Sequence, residues 1–166
     1  MIKNRIFLAL LLLASIVGMA AMGCSPQPSG EASEEDQVTL VLYFAVNAGD
    51  ELAAEERSVA KGDVSLAEQA LMELIAGPKT QGHSRTLPEQ SVLLSVEVRD
   101  KIAYVDLGSE TVENHPGGSL GDKVSVSSIV RTLTELPGIT AVQLMLEGEI
   151  VEAVFGHIAT DKPLTR

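Results

Sequence analysis

The stretch Ser91–Glu110, SVLLSVEVRDKIAYVDLGSE, places apolar residues at alternating positions on both sides of a polar centre. A period of two marks a half-buried strand, because successive side chains leave a strand on opposite faces. Leu94, Val96 and Val98 share one face of the first arm. Ala103, Val105 and Leu107 share a face of the second, with Ile102, Tyr104 and Asp106 on its other side. The arms meet at Arg99–Lys101, so the stretch predicts a β-hairpin.

Working outward, Val38–Ala45 (VTLVLYFA) is β-branched and aromatic and reads as a central strand. Asn47–Asp50 is a turn, and Glu51–Ala60 a half-exposed strand pairing back on the first. Ser65–Pro78 (SLAEQALMELIAGP) predicts a helix. Asp63 or Ser65 can cap it, Leu66, Ala70, Leu71, Leu74 and Ile75 form its apolar stripe, and Gly77 with Pro78 end it. Lys79–Gln90 and Thr111–Asp122 read as loops. Lys123–Leu136 predicts a second helix, with Val126, Ile129, Val130 and Leu133 along one side. Thr140–Phe155 reads as another hairpin, turning at Glu147–Glu149, and Gly156–Arg166 is irregular. The order is ββα-ββα-ββ, two similar units in tandem followed by a hairpin. It implies an α+β fold: a two-layer sandwich with a mixed or antiparallel sheet and two helices on one face.

The N-terminus has a different composition. Lys3 and Arg5 precede the apolar run Ile6–Met22, and small residues lead to Cys24, the one cysteine of the chain. A basic start, an apolar stretch and small residues describe a secretory signal peptide, against the alternative of a permanent membrane anchor. AMGC (Ala21–Cys24) resembles the lipobox of bacterial lipoproteins, with Ala21 in place of the usual leucine. That resemblance implies cleavage after residue 23 and diacylglycerol on the Cys24 thiol. With its sulfur acylated the mature chain forms no disulfide, so the cysteine is an attachment point and its core alone holds the fold. Two or three acyl chains anchor stably where one does not. The division is therefore 1–23 signal peptide, 24–37 lipidated cysteine and solvated acidic tether, and 38–166 folded domain. The tether's flexible reach is roughly 20 Å.

All 23 acidic residues, but only 10 of the 12 basic ones, follow Cys24, which gives the mature chain a net charge of −13. A nucleic-acid partner needs clustered cations and is excluded. Adhesion to an anionic membrane by charge is disfavoured too, which leaves membrane attachment to the lipid.

Leu87–Glu110, Val126–Glu152 (VSSIVRTLTELPGITAVQLMLEGEIVE) and Gly156–Arg166 (GHIATDKPLTR) together resemble the GerMN domain of sporulation and spore-germination proteins. Val38–Phe44 and Leu66–Pro78 match in order and spacing. The resemblance covers Val38 to Arg166 and rests most on TLTELPGI, VQLMLEGE and the closing GH…PL.R. One departure is Asp100-Lys101 at the hairpin turn, where Asp-Gly is usual. The resemblance implies a fold similar to the α+β ring-building modules of secretion and sporulation assemblies. It further implies a protein on the extracytoplasmic face of the cell membrane that binds a protein partner in the cell envelope or spore assembly. It carries no catalytic residues and no cofactor.

The residues themselves agree. His83, His115 and His157 stand in three separate irregular stretches without the spacing of a metal motif. His157 reads as a structural histidine bonding the backbone near the last strand. Asp106 reads as a strand-end carboxylate capping the turn at Gly108–Ser109, and Arg131 as a solvent-facing charge. His115–Asp122 (HPGGSLGD) lacks the spacing of a phosphate-binding loop, and no nucleophile-base motif is present. The alternative is an envelope enzyme or ligand-binding protein acting on peptidoglycan or a small nutrient.

Replacing Cys24 with Ser is expected to abolish acylation and peptidase cleavage, measured by metabolic fatty-acid labelling. Label persisting in the variant would contradict the assignment.

Overall fold

The computed structural model describes residues 37–166; the expected signal peptide, Cys24 and most of the expected tether lie outside the described residues. Strand β1 (Gln37–Val46) pairs antiparallel with β2 (Glu51–Ala60) along its whole length, through a 3-10 turn at Asn47–Gly49. Helix α1 (Leu66–Ala76) follows. Strands β3 (Leu93–Arg99) and β4 (Ile102–Leu107) form the central hairpin, then come a short helix α2 (Ser109–Glu113), the long helix α3 (Ser119–Thr134) and strand β5 (Ala141–Leu146).

The class is α+β, and the pairing is antiparallel and mixed. The strands divide into two sheets, β1-β2 and β3-β4-β5, with β5 parallel to β4. Helices α1 and α3 pack on each other and both pack on β1, while α1 also reaches β3 and α3 reaches β5. Leu40, Leu42 and Phe44 of β1 meet Leu71 and Leu74 of α1, Ile129 and Leu133 of α3, and Val105, Leu107, Val142 and Leu144 in one buried core.

Helix α1 starts where Ser65 accepts the Glu68 N–H at 3.1 Å, which selects Ser65 over Asp63 as the cap. It stops at Gly77, whose φ of +92° suits glycine, and a Cβ there would lie 2.7 Å from the Arg85 guanidinium. Arg85 needs that space, because it donates to the carbonyls of Ile75 and Ala76 at 2.6 and 2.8 Å and so satisfies the free end of the helix.

The central hairpin turns at Asp100 and Lys101, both with positive φ (50° and 66°) despite having side chains. The Lys101 carbonyl accepts the Thr140 N–H at 2.8 Å, which ties the turn to the start of β5. A register shift between Leu93 and Ser95 makes Leu94 the extra residue of a bulge. Leu94 therefore leaves the face it was expected to share with Val96 and is half exposed.

Three further expectations are corrected. β1 is not central in a sheet: among the described residues its outer edge has no strand partner. The Tyr43 N–H donates to Thr132 Oγ1 at 3.1 Å, the Tyr43 carbonyl accepts from Ser128 Oγ at 2.7 Å, and Ala45 exchanges two backbone bonds with Ser84. Helix side chains thus serve where a strand would. The expected loop Thr111–Asp122 is largely helical, since α2 ends within it and α3 begins at Ser119. The last hairpin turns as expected, with Leu146 and Glu149 bonded both ways, but its return arm forms no strand. The outer edge of β5 is taken instead by Leu164, which exchanges two bonds with Val142. Residues 150–155 turn inward, burying Val154 and Phe155. Buried Thr160 holds that turn through the Glu152 and Val151 carbonyls and the Val154 N–H.

The C-terminal residue closes over β1. Arg166 pairs with Glu135, which accepts the Tyr43 hydroxyl at 2.6 Å, and the guanidinium lies 5.7 Å from the centre of the Tyr43 ring. The Glu135 hydrogen bond, burial and the Glu135 charge raise the Tyr43 pKa; the same hydrogen bond and Arg166 lower that of Glu135.

Leu133 is fully buried, whereas Leu94 is 49 % exposed. Leu133→Ala is expected to cost about 2–5 kcal/mol in urea unfolding, and Leu94→Ala less than about 0.5 kcal/mol. Equal losses would show that the core is not centred on α3.

Candidate functional site

Helix α3 carries a second buried stripe beside its apolar one. Asp122, Ser125, Ser128 and Thr132 recur at helical spacing, and all are buried. Each finds a partner on another element. Ser125 Oγ donates to the Thr86 carbonyl at 2.5 Å. Ser128 Oγ, which donates to Tyr43, lies 2.7 Å from Thr86 Oγ1.

The N-terminal end of this stripe gathers two of the three histidines. His115 comes from the lead-in to α3, and its Nε2 lies 2.8 Å from Ser125 Oγ. Its Nδ1 accepts the Gly117 N–H at 3.1 Å and stands 3.5 Å from Asp122 Oδ1. The ring packs on Phe155, with centroids 4.5 Å apart. His157 reaches the other carboxylate oxygen. Its backbone N–H and its Nδ1 are 3.0 and 2.6 Å from Asp122 Oδ2. Asp122 Oδ1 is buried without a hydrogen-bond donor among the described residues. His115 and Ser125 form part of a cleft of about 550 Å³, with Ala45, Leu87, Leu120 and Val124 as its apolar walls.

Ser125, His115 and Asp122 are the residue types of a hydrolytic triad, and their order in space is the same. The proton directions are opposite. Nδ1 accepts from Gly117, so the neutral ring carries its proton on Nε2 and donates it to Ser125. Ser125 in turn spends its proton on Thr86. A general base needs a free lone pair at the serine, and here that nitrogen is a donor. Burial also holds the His115 imidazole below its ordinary 6.5, with the Asp122 charge pulling the other way. The cluster therefore acts as a tie joining the loop at Thr86, helix α3 and the C-terminal segment.

A second polar centre lies at the end of α1. Arg57 bonds Glu55, Glu73 Oε2 at 2.7 Å, and the carbonyls of Glu73 and Gly77 at 3.0 Å. Glu55 also accepts the N–H groups of Lys79 and Thr80. Burial raises the Glu55 pKa, but Arg57 and the Thr80 and Lys79 donors overcome it and lower the group to about 2. His83 Nδ1 is 3.6 Å from Glu55 and has no hydrogen-bond partner among the described residues.

The structure thus joins His115 and His157 at one carboxylate and leaves His83 at another. His157 was expected to bond the backbone near the last strand; its ring instead meets the Asp122 carboxylate of α3. Asp106 caps a different turn from the one expected: its Oδ1 accepts the Gly148 N–H at 2.8 Å, while Glu147 serves Ser109. Arg131 is exposed, as expected. The sequence reading missed Glu55, Arg57, Asp122 and Ser125. The available signal was the helical repeat of Asp122, Ser125, Ser128 and Thr132. Among the described residues no group of three or more His, Cys, Asp or Glu is placed to hold a metal.

A family model described as Germane, sporulation and spore germination, matches residues 41–152. The chain belongs to the Germane family. The first GerMN domain of the sporulation protein GerM from Bacillus subtilis is similar in fold, with a TM-score of 0.66 and 23 % identity over 78 % of this chain and 98 % of that domain. The tandem GerMN domains of the same protein give 0.63 and 19 %, over 84 % of this chain and 49 % of theirs. A Clostridium perfringens protein described as a lipoprotein gives 0.57 and 24 %, over 80 % and 90 %. No curated protein matches. At these identities the solved structures establish the fold alone, which is the Germane fold.

Glu55 gives a pH prediction. Its folded pKa lies below its ordinary 4.5, so its contribution is complete above 4.5 and is lost as pH falls towards 2. The loss is of order 3 kcal/mol. Glu55→Gln is expected to flatten that acid limb in unfolding curves, and an unchanged slope would show that Glu55 is not its source.

Proposed function

We propose that this chain is a lipid-anchored, extracytoplasmic protein-interaction module serving sporulation or spore germination, without catalysis. The observation that carries this reading is the Germane match over residues 41–152. The AMGC sequence at Cys24 and the lipoprotein description of the Clostridium perfringens relative support anchoring by lipid at the outer face of the cell membrane. Among the described residues no helix is long and apolar enough to cross a membrane. The proton directions around His115 support a binding rather than a hydrolytic role.

A second reading, an envelope hydrolase or ligand-binding protein acting on peptidoglycan or a small nutrient, draws on one observation. Ser125, His115 and Asp122 stand together beside a cleft of about 550 Å³. That size is within the usual range for small-molecule sites.

Deleting residues 38–166 behind an intact anchor is expected to impair sporulation or germination in the native host, scored as heat-resistant colonies and as germination rate. A folded Ser125→Ala variant is expected to support both. Photo-crosslinkers at the exposed positions Leu120 and Ile150 are expected to yield discrete protein adducts in sporulating cells. Fluorophosphonate labelling of Ser125, with turnover of a cell-wall substrate lost in Ser125→Ala, would replace this reading by the second one.

A further inference from the structure

We propose that His115 is a proton-operated latch: protonation moves its Nδ1 from the Gly117 N–H to Asp122 Oδ1 and frees the Pro116–Gly117 lead-in, of which Pro116 lines the cleft. The inference goes beyond the functional reading above, and its failure would leave that reading standing.

The wiring is incomplete in a specific way. Asp122 is fully buried, and its Oδ2 has two donors from His157. Its Oδ1 has none among the described residues, although a buried carboxylate oxygen without a donor carries a desolvation cost. A group able to supply one, His115 Nδ1, stands 3.5 Å away. In the neutral ring that nitrogen is itself an acceptor and holds the Gly117 N–H. A proton on Nδ1 reverses both relations at once. The orphaned carboxylate oxygen gains a charged donor, and the Gly117 N–H then faces another donor and must leave.

The parts that move and those that stay are distinct. Nε2 on Ser125 and the Phe155 ring hold the imidazole in either state. Ser125 is fixed in turn by the Thr86 carbonyl. Gly117 and Gly118 have φ of +73° and +85°, and a Cβ on either would meet nothing within 4 Å, so the backbone there has room to shift. Pro116, Leu120 and Gly121, on or next to this lead-in, line the cleft. The bond from the Asp122 N–H to the Gly118 carbonyl, at 2.9 Å, keeps the first turn of α3 in place.

The charged groups around His115 are few. From α3 the facing group is Asp122. From the C-terminal segment it is His157, across the carboxylate, with 57 % of its side chain exposed. The loop at Thr86 presents a carbonyl through Ser125. Burial lowers the His115 pKa, so the latch operates below its ordinary 6.5. The sign follows. The unfolded chain takes up this proton first as pH falls below 6.5, so the fold also loses some stability in that window. A test must therefore separate local from global opening.

The test uses the full-length chain in detergent micelles, titrated from about pH 7.5 to about pH 5. Histidine ring-nitrogen NMR is expected to show His115 with Nδ1 unprotonated at the upper end and both nitrogens protonated below. In step with that change, the Gly117 amide, corrected for intrinsic exchange, is expected to lose about tenfold or more in protection. Core amides at Ile129 and Leu133 should stay protected. Asp122→Asn is expected to lower the His115 midpoint and keep Gly117 protected at acid pH. His157→Gln, at an exposed position, is expected to retain the Gly117 response. The proposal is overturned if Nδ1 carries a proton at neutral pH, or if Gly117 protection ignores the His115 titration. It also falls if His115 stays neutral until the core amides open, or if the response disappears in His157→Gln. Should Asp122→Asn fail to fold, the wild-type titration decides alone.

Discussion

The outer edge of β1 is the constraint on which the arrangement depends. A strand buried among helices cannot leave its N–H and C=O groups without partners. β2 satisfies one edge of β1, and on the other no strand is present among the described residues. Ser128 and Thr132, one helical turn apart on α3, take the carbonyl and the N–H of Tyr43. That pair of bonds fixes the rotation and height of α3 on β1. It also explains why the strands form two sheets bridged by a helix. Hydroxyl side chains suit this task because each is short and can donate or accept.

Once α3 is held at its middle, both ends of the domain acquire buried polar centres. At the start of α3, Asp122 and Ser125 gather His115, His157 and Thr86 from three irregular segments. At the end of α1, Arg57 and Glu55 gather Glu73, Gly77, Lys79 and Thr80. Buried charges add little net stability when compared with apolar packing, but removing one partner leaves the other uncompensated. In both centres the partners are loop backbone groups as well as side chains. The charges therefore hold loops that have little apolar surface of their own.

The chemistry around His115 illustrates how far residue type falls short of function. A serine, a histidine and an aspartate lie in the order of a hydrolase, yet one N–H from Gly117 sets the tautomer that makes the histidine a donor to the serine. With Nδ1 so engaged, the Asp122 carboxylate oxygen 3.5 Å from it has no donor among the described residues. Function on this fold is decided by such second partners, which are invisible in a list of residues.

Elements whose cause is local are legible in the residues alone. The hairpin at Ser91–Glu110 follows from alternation, and helix α1 from its stripe and its Gly77 stop, while the choice of Ser65 over Asp63 as its cap came from the folded backbone. The family also showed in runs such as TLTELPGI, because these combine a helix end, a turn and a strand start in one segment. Tertiary structure alone decided the rest. Leu94 left its expected face because of a bulge that only pairing reveals. Residues 150–155 alternate like a strand, but Leu164, far along the chain, occupies the edge they would need. The stripe Asp122–Thr132 is polar by residue type, yet it is buried because β1 brings backbone groups to Ser128 and Thr132, while Thr86 and His157 meet Ser125 and Asp122. Each of these outcomes turns on partners distant in sequence, and a residue's own pattern contains no information about which partner will arrive.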